Sequence, residues 1–239
     1  MKSLRREALS GAVAVVGFLV LAAFVQLPFD RESMAPSARL AMHAGAVTST
    51  AWLWLANAAA YGLRRDLPTQ LLVAAAAALA TVALILATGP IDARSFGLGA
   101  GTFVLVACFA VALSGLEGVL QNRLLSTVAL ITVTSLLVAA PLWLGPVVES
   151  FAGAESLASW VLALSPFSYL AVLADFDFLR TSWFYEHSVL GSLRYRYPSA
   201  WMLTALYCTP VVVAVGLRLR STRPRLRKMS QSMLAAKQL

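Results

Sequence analysis

Charge is scarce in this chain of 239 residues: Asp, Glu, Lys and Arg make up 13% of it, where a soluble domain carries about 25%. Apolar residues fill 59%, and mean hydropathy is +0.77. That balance excludes an ordinary soluble domain. It also excludes a disordered chain, which needs low hydrophobicity and high charge. Cysteine is nearly absent: Cys108 and Cys208 each sit inside an apolar run, so a disulfide framework is excluded. With two histidines, and no CxxC or CxxCH, no metal-ligand spacing emerges. The chain has neither GxxxxGK[ST] nor GxGxxG, so it has no nucleotide-binding domain of its own. It also lacks GxSxG and HExxH, the motifs of serine hydrolases and zinc proteases, and the GxSG that a rhomboid-like protease needs.

What is present is long apolar runs. A helix needs roughly 20 apolar residues to cross a bilayer. The chain reads as one all-α, polytopic transmembrane domain over 1–239. Six spans are expected, at about 11–29, 40–62, 70–90, 97–120, 125–147 and 200–217. A basic elbow (1–10) precedes them and a polybasic tail (218–239) follows. The first apolar run resembles a signal peptide at its start, but it is too long for an h-region and lacks a small-x-small cleavage site.

The net charge is +8. It lies in the tails and short loops, so it reports on topology and anionic headgroups, not nucleic acid. With both termini inside, the inner segments hold thirteen Lys and Arg: Lys2, Arg5, Arg6, Arg64, Arg65, Arg123 and seven from Arg218 onward. The outer segments hold six, at Arg31, Arg39, Arg94, Arg180, Arg194 and Arg196. The positive-inside rule then predicts that both termini are cytoplasmic.

The long outer segment, 149–199, is not uniformly polar. Phe151–Leu164 is apolar apart from Glu155, Ser165-Pro166 interrupts, and Phe167–Leu173 is apolar again. Ser at the N-cap with Pro at the first helical position starts a helix well, and Leu164 with Tyr169 would form its hydrophobic staple. Neither flank is long enough to span. The expectation is a short re-entrant helix pair that turns at Ser165-Pro166; one flat interfacial helix is the alternative. The next stretch, 175–199, mixes charges with seven aromatics and suits a loop covering helix ends.

Chemistry-bearing groups within the spans are few. Intramembrane ionisable residues usually mark transport pathways. Here only His43 and Glu117 qualify, with Asn57 as a neutral polar group. Glu117 is either a gating carboxylate or a carboxylate closing a helix end beside Gln121 and Arg123. The lack of mid-membrane charge argues against an ion-coupled carrier working alone. The hydroxyls Thr48, Ser49, Thr50, Thr132, Thr134 and Ser135 are expected to bond their own helices or join neighbours. Gly97 with Gly101, and Ser114 with Gly118, are small residues four apart, which predicts close packing of the fourth and fifth spans. Trp52, Trp54, Tyr61, Trp201 and Tyr207 fit an interfacial aromatic belt.

Taken together, the layout resembles the type-2 ABC exporter permease family. LRREA at 4–8 is similar to its basic elbow. VALSGLEGVLQNRLLSTVALI at 111–131 resembles its junction of fourth and fifth spans. LALSPFSYLAVL at 162–173 resembles its Ser/Asn-Pro break in the outer helix pair. The resemblance implies an exporter in a bacterial inner membrane, with a second permease chain and a separate ABC ATPase that binds the ATP; the apolar linings point to a lipophilic or lipid-linked substrate over a small ion. No resident cofactor, metal or catalytic residue is expected, and membrane lipids are the other partner. The ATPase would dock on Arg5, Arg6, Arg64, Arg65 and Asp66. At that inner loop the family carries an acidic residue, a short coupling helix and a Lys, whereas this chain has only LRRDLPT. The short loop favours a second reading, a non-transporting scaffold or assembly subunit.

Overall fold

A computed structural model describes residues 35–60, 67–88, 93–151, 154–181, 184 and 195–215. The expected first span, the elbow with Arg5 and Arg6, the loop with Arg64, Arg65 and Asp66, and the basic tail lie outside the described residues. Among the described residues the protein is all-helical, with no strand.

Four long helices make the frame: α1 (Pro36–Ala60), α2 (Leu67–Thr88), α3 (Ala93–Leu120) and α4 (Arg123–Trp143). Each matches an apolar run read from the sequence. α1 starts earlier than expected because Pro36 presets the first helical φ and its missing N–H costs no bond there. The α3–α4 turn is tight. Gln121 takes a left-handed φ of 50°, and the Asn122 side chain accepts from Leu125 N–H at 3.1 Å, capping α4. At its far end α4 carries Pro141 and gives way through Leu144 to α5 (Gly145–Glu149), which has Pro at its start.

Two short helices follow, α6 (Ala154–Leu164) and α7 (Pro166–Leu173), bent by 90° at Ser165. At ~1.5 Å per residue they are about 16 and 12 Å long, well short of a ~30 Å hydrocarbon core. A 3-10 turn (Phe178–Arg180) and α8 (Ala200–Val215) complete the described chain.

Among the described residues three helices are long and apolar enough to cross a membrane, Thr69–Ala87 within α2, all of α3 and all of α4, or four if the bent pair α6–α7 is one broken span. α1 is longer than α2 but is not among them. It carries Arg39, His43, Thr48, Ser49, Thr50 and Asn57, and it is walled by α2, α3, α4 and α7. The helix most enclosed by protein can carry the most polar groups.

The hydrogen bonds give the directions. Thr48 and Trp52 of α1 meet Thr102 and Leu105 of α3, so these helices run parallel. Gln70 meets Ser114 and Thr81 meets Thr102, so α2 and α3 are antiparallel. Pro36, Ala93 and Trp143 therefore share one end of the bundle, and Leu203 near the start of α8 packs with Ala41 and Leu98 there.

The glycines pack differently from expectation. A Cβ on Gly99 would lie 2.6 Å from Val82 Cγ2, so α2 is the close neighbour there. A Cβ on Gly101 would collide with Leu173 of α7. Gly97 and Gly118 face open space. Gly99 and Gly101 thus admit α2 and α7, while the fifth span, α4, meets α3 through other residues, with Leu130 and Ile131 packed on the cluster that holds Val106 and Ala110. Ser114 acts as a donor and acceptor instead, between Gln70 and the Ala110 carbonyl.

Candidate functional site: the broken helix pair

The break at Ser165-Pro166 is buried between two helices inside the described bundle end. Irregular backbone away from water must have its polar groups satisfied. The Ser165 N–H donates to Leu162 O at 3.2 Å, and its carbonyl accepts from Tyr169 N–H at 3.3 Å. The last carbonyls of α6 cannot find helical donors, because Pro166 has no N–H and α7 leaves at 90°. Tyr207 of α8 supplies them: its hydroxyl lies 3.0 Å from Leu164 O and 3.3 Å from Ala163 O. Its ring stacks on Tyr169, centroids 5.4 Å apart. Tyr169 is 2% exposed and donates to Thr204 Oγ1 at 2.9 Å, while Thr204 donates to Ala200 O.

Ser165 does start a helix, from an extended backbone, but its side chain makes no cap bond. Its hydroxyl reaches across to Val138 O of α4 at 3.5 Å. Nearby, Trp143 Nε1 donates to Leu136 O at 3.1 Å. The two acceptors flank Leu137, the residue whose carbonyl loses its helical donor to Pro141. The expected staple is not what holds the corner: Leu164 is 47% exposed, while Tyr169 is buried against α8.

α7 ends in a Schellman turn. Phe176 N–H donates to Ala171 O at 2.9 Å and Asp175 N–H to Val172 O at 3.1 Å, with Asp175 at φ 56°. Asp tolerates that left-handed position better than most residues. Its carboxylate pairs with Arg94 at the start of α3, 2.9 Å away. The expectation that 175–199 covers the helix ends is met by its described part: Phe178 and Leu179 are buried among Phe167, Phe184 and Tyr197.

Asp177 organises that cover. It accepts from Tyr195 (3.0 and 3.2 Å) and Tyr197 (3.0 Å), and pairs with Arg180 at 3.2 Å. Burial and the carboxylate push the Tyr195 hydroxyl up to about 12, and burial with Asp177 raises Tyr197 further. A folded value above the unfolded one means the native state holds that proton more tightly. The stabilisation is complete below the unfolded tyrosine value of about 10 and is lost as pH rises to about 12. Phenolate absorbance should therefore show Tyr195 titrating near 12, and Asp177→Asn should bring it down.

A chain of hydroxyls lies deeper. Thr102 Oγ1 sits between Thr81 Oγ1 (3.2 Å) and Thr48 Oγ1 (3.5 Å), all three fully buried. Thr48 and Thr81 also back-bond Ala44 O and Ala77 O. These are helix-joining hydroxyls, as expected for Thr48. Thr50 bonds its own Ala46 carbonyl, while Thr132 and Ser135 are exposed on α4.

The two aromatics expected in the belt that matter most turn inward. Trp52 stacks on Phe109 at 5.3 Å and donates to Leu105 O, and Tyr207 holds the break. Trp201, 79% exposed, faces outward. Glu117 sits half-buried in the last turn of α3. Twelve residues separate it from Leu105 beside the break, about 18 Å along the helix, so the two candidate sites are not brought together. Tyr207, Tyr169 and Thr204 were not singled out as a site from sequence, since no local pattern links residues forty positions apart. Among the described residues no group of three His, Cys, Asp or Glu could hold a metal, and Cys108 and Cys208 are both free thiols.

The corner makes a mutational prediction. Tyr207→Phe keeps the ring but removes the one proton that the Ala163 and Leu164 carbonyls share, a loss of about 1–3 kcal/mol. Tyr169→Phe should cost less, since Thr204 keeps its Ala200 acceptor. Denaturant unfolding in detergent, with proteolysis near residue 165, checks the order.

Comparison with known proteins finds no matching family model, no matching curated protein and no matching solved structure.

Proposed function

We propose that this chain is the membrane-embedded permease subunit of an ABC exporter, carrying a lipophilic or lipid-linked substrate and powered by a separate ATPase chain. The observation that carries the reading is the broken pair α6–α7. Its corner packs on Gly45, Leu105, Val138 and Tyr207. These lie between one and about three turns in from the shared end of the bundle. A bilayer tolerates non-helical backbone only where protein encloses it, and Ser165 is fully buried with its backbone bonds made. In this reading the six expected spans cross the inner membrane, α6–α7 is re-entrant from the outer face, and both termini are cytoplasmic. The outer cover around Asp177 then closes the extracytoplasmic end. Without a phosphate-binding loop in the sequence, ATP is hydrolysed by the partner.

A second reading, a scaffold or assembly subunit, is favoured by one feature. Only six residues connect Ala60 to Leu67, leaving little chain for a coupling element on the inner side. Co-purification in mild detergent separates the two. The permease should bring down an ATPase chain and a second permease chain, with hydrolysis only when the ATPase is present. Recovery of the chain in a complex that contains no ATPase overturns the permease reading.

A further inference from the structure

We propose that a cavity beside the break holds the end of a membrane-lipid acyl chain. It measures 170 Å³ and lies among α1, α3, α4 and α7, walled chiefly by Met42, Trp52, Leu105, Val138, Phe167 and Leu170. An apolar cavity of about 150 Å³ stays dry and takes a molecule the size of benzene. The polar groups of this wall do not call for water. The Trp52 indole N–H is spent on Leu105 O, and Thr48 is spent on Ala44 O beside Thr102. Ser49 adds one further hydroxyl, and an ordered water needs two to four polar partners.

The source of the occupant follows from Val138. This residue lines the cavity yet is 40% exposed on the outer face of α4. The cavity therefore adjoins the surface that an embedded α4 turns to lipid. About six carbons of a chain entering past Val138 would fill it. They would lie against Pro166 and Phe167 and prop the corner of α6–α7. The proposal rests on the membrane reading of the bundle and not on transport.

The test uses the quenching of tryptophan by bromine. The full chain, with Trp52 as its sole tryptophan, is placed in vesicles of phosphatidylcholine brominated along the acyl chains. Trp52 should be quenched, and Ala46→Leu, which fills the cavity from α1, should remove most of that quenching. Ser49→Leu, one turn on, should do the same. A chain with Trp201 alone reports embedding, and its quenching should ignore both fillers. Trp201 quenched with Trp52 unquenched, or Trp52 quenched equally with and without the fillers, overturns the cavity proposal. An unquenched Trp201 overturns the membrane reading beneath it. If the single-tryptophan chain does not fold, native mass spectrometry of the unaltered protein and Ala46→Leu decides. Ala46→Leu should retain one lipid fewer, and equal retention overturns the proposal.

Discussion

Gly101→Leu should cost this protein roughly 3 kcal/mol, the upper part of the usual overpacking range, while Gly97→Leu on the same helix should cost nothing. Both exchanges gain about 1 kcal/mol of helix propensity, so their difference isolates packing. A Cβ at Gly101 would strike the Leu173 tip and lie 3.5 Å from Leu170 and 3.6 Å from Tyr169. Leu170 and Tyr169 are both 2% exposed, so the rest of a leucine has nowhere to go. At Gly97 nothing lies within 4 Å. Gly101→Ala falls between, because the Leu173 tip can swing aside. If leucine is tolerated equally at both positions in detergent unfolding, α7 does not pack on α3 as described.

That pair of glycines also shows where sequence reading reached its limit. The four-residue spacing of Gly97 and Gly101 was visible, and it correctly marked α3 as a packing helix. Spacing does not name the partner, however. The partner at Gly101 is an eight-residue helix from a segment seventy positions away. Apolar runs, by contrast, are local and long, so the positions of α1 to α4 and α8 could be read to within a few residues. The bend at Ser165-Pro166 was legible for a similar reason: proline and a run too short to span act locally. What secures the bend was not legible. Tyr207 reads as one more aromatic near a span end, and only the fold puts its hydroxyl on two stranded carbonyls. Ser165 misled in the same way. It is a good N-cap residue in sequence, but in the fold its hydroxyl turns to the Val138 carbonyl of α4 instead.

If the chain is the permease proposed above, reversing Arg64 and Arg65 to Glu should sharply reduce ATPase binding and coupled hydrolysis, the largest functional effect that reading expects. α1 ends at Ala60 and α2 starts at Leu67, at the end of the bundle opposite the broken pair, which the proposed topology turns to the cytoplasm. Within that connection Arg64, Arg65 and Asp66 are the charged groups. An ATPase docking there must meet them, and an acidic rim on it would attract the two guanidinium groups. Reversal sets like charges against that rim, which can cost several kcal/mol at an interface. It also removes two inner positive charges, so topology must be read in parallel with a reporter after Leu239 that is active only in the periplasm. The informative result is a silent reporter with binding and hydrolysis lost. A silent reporter with both unchanged would mean that this loop is no coupling site. With only six residues between the helices, little else on this connection could then take its place, and the scaffold reading would overtake the permease.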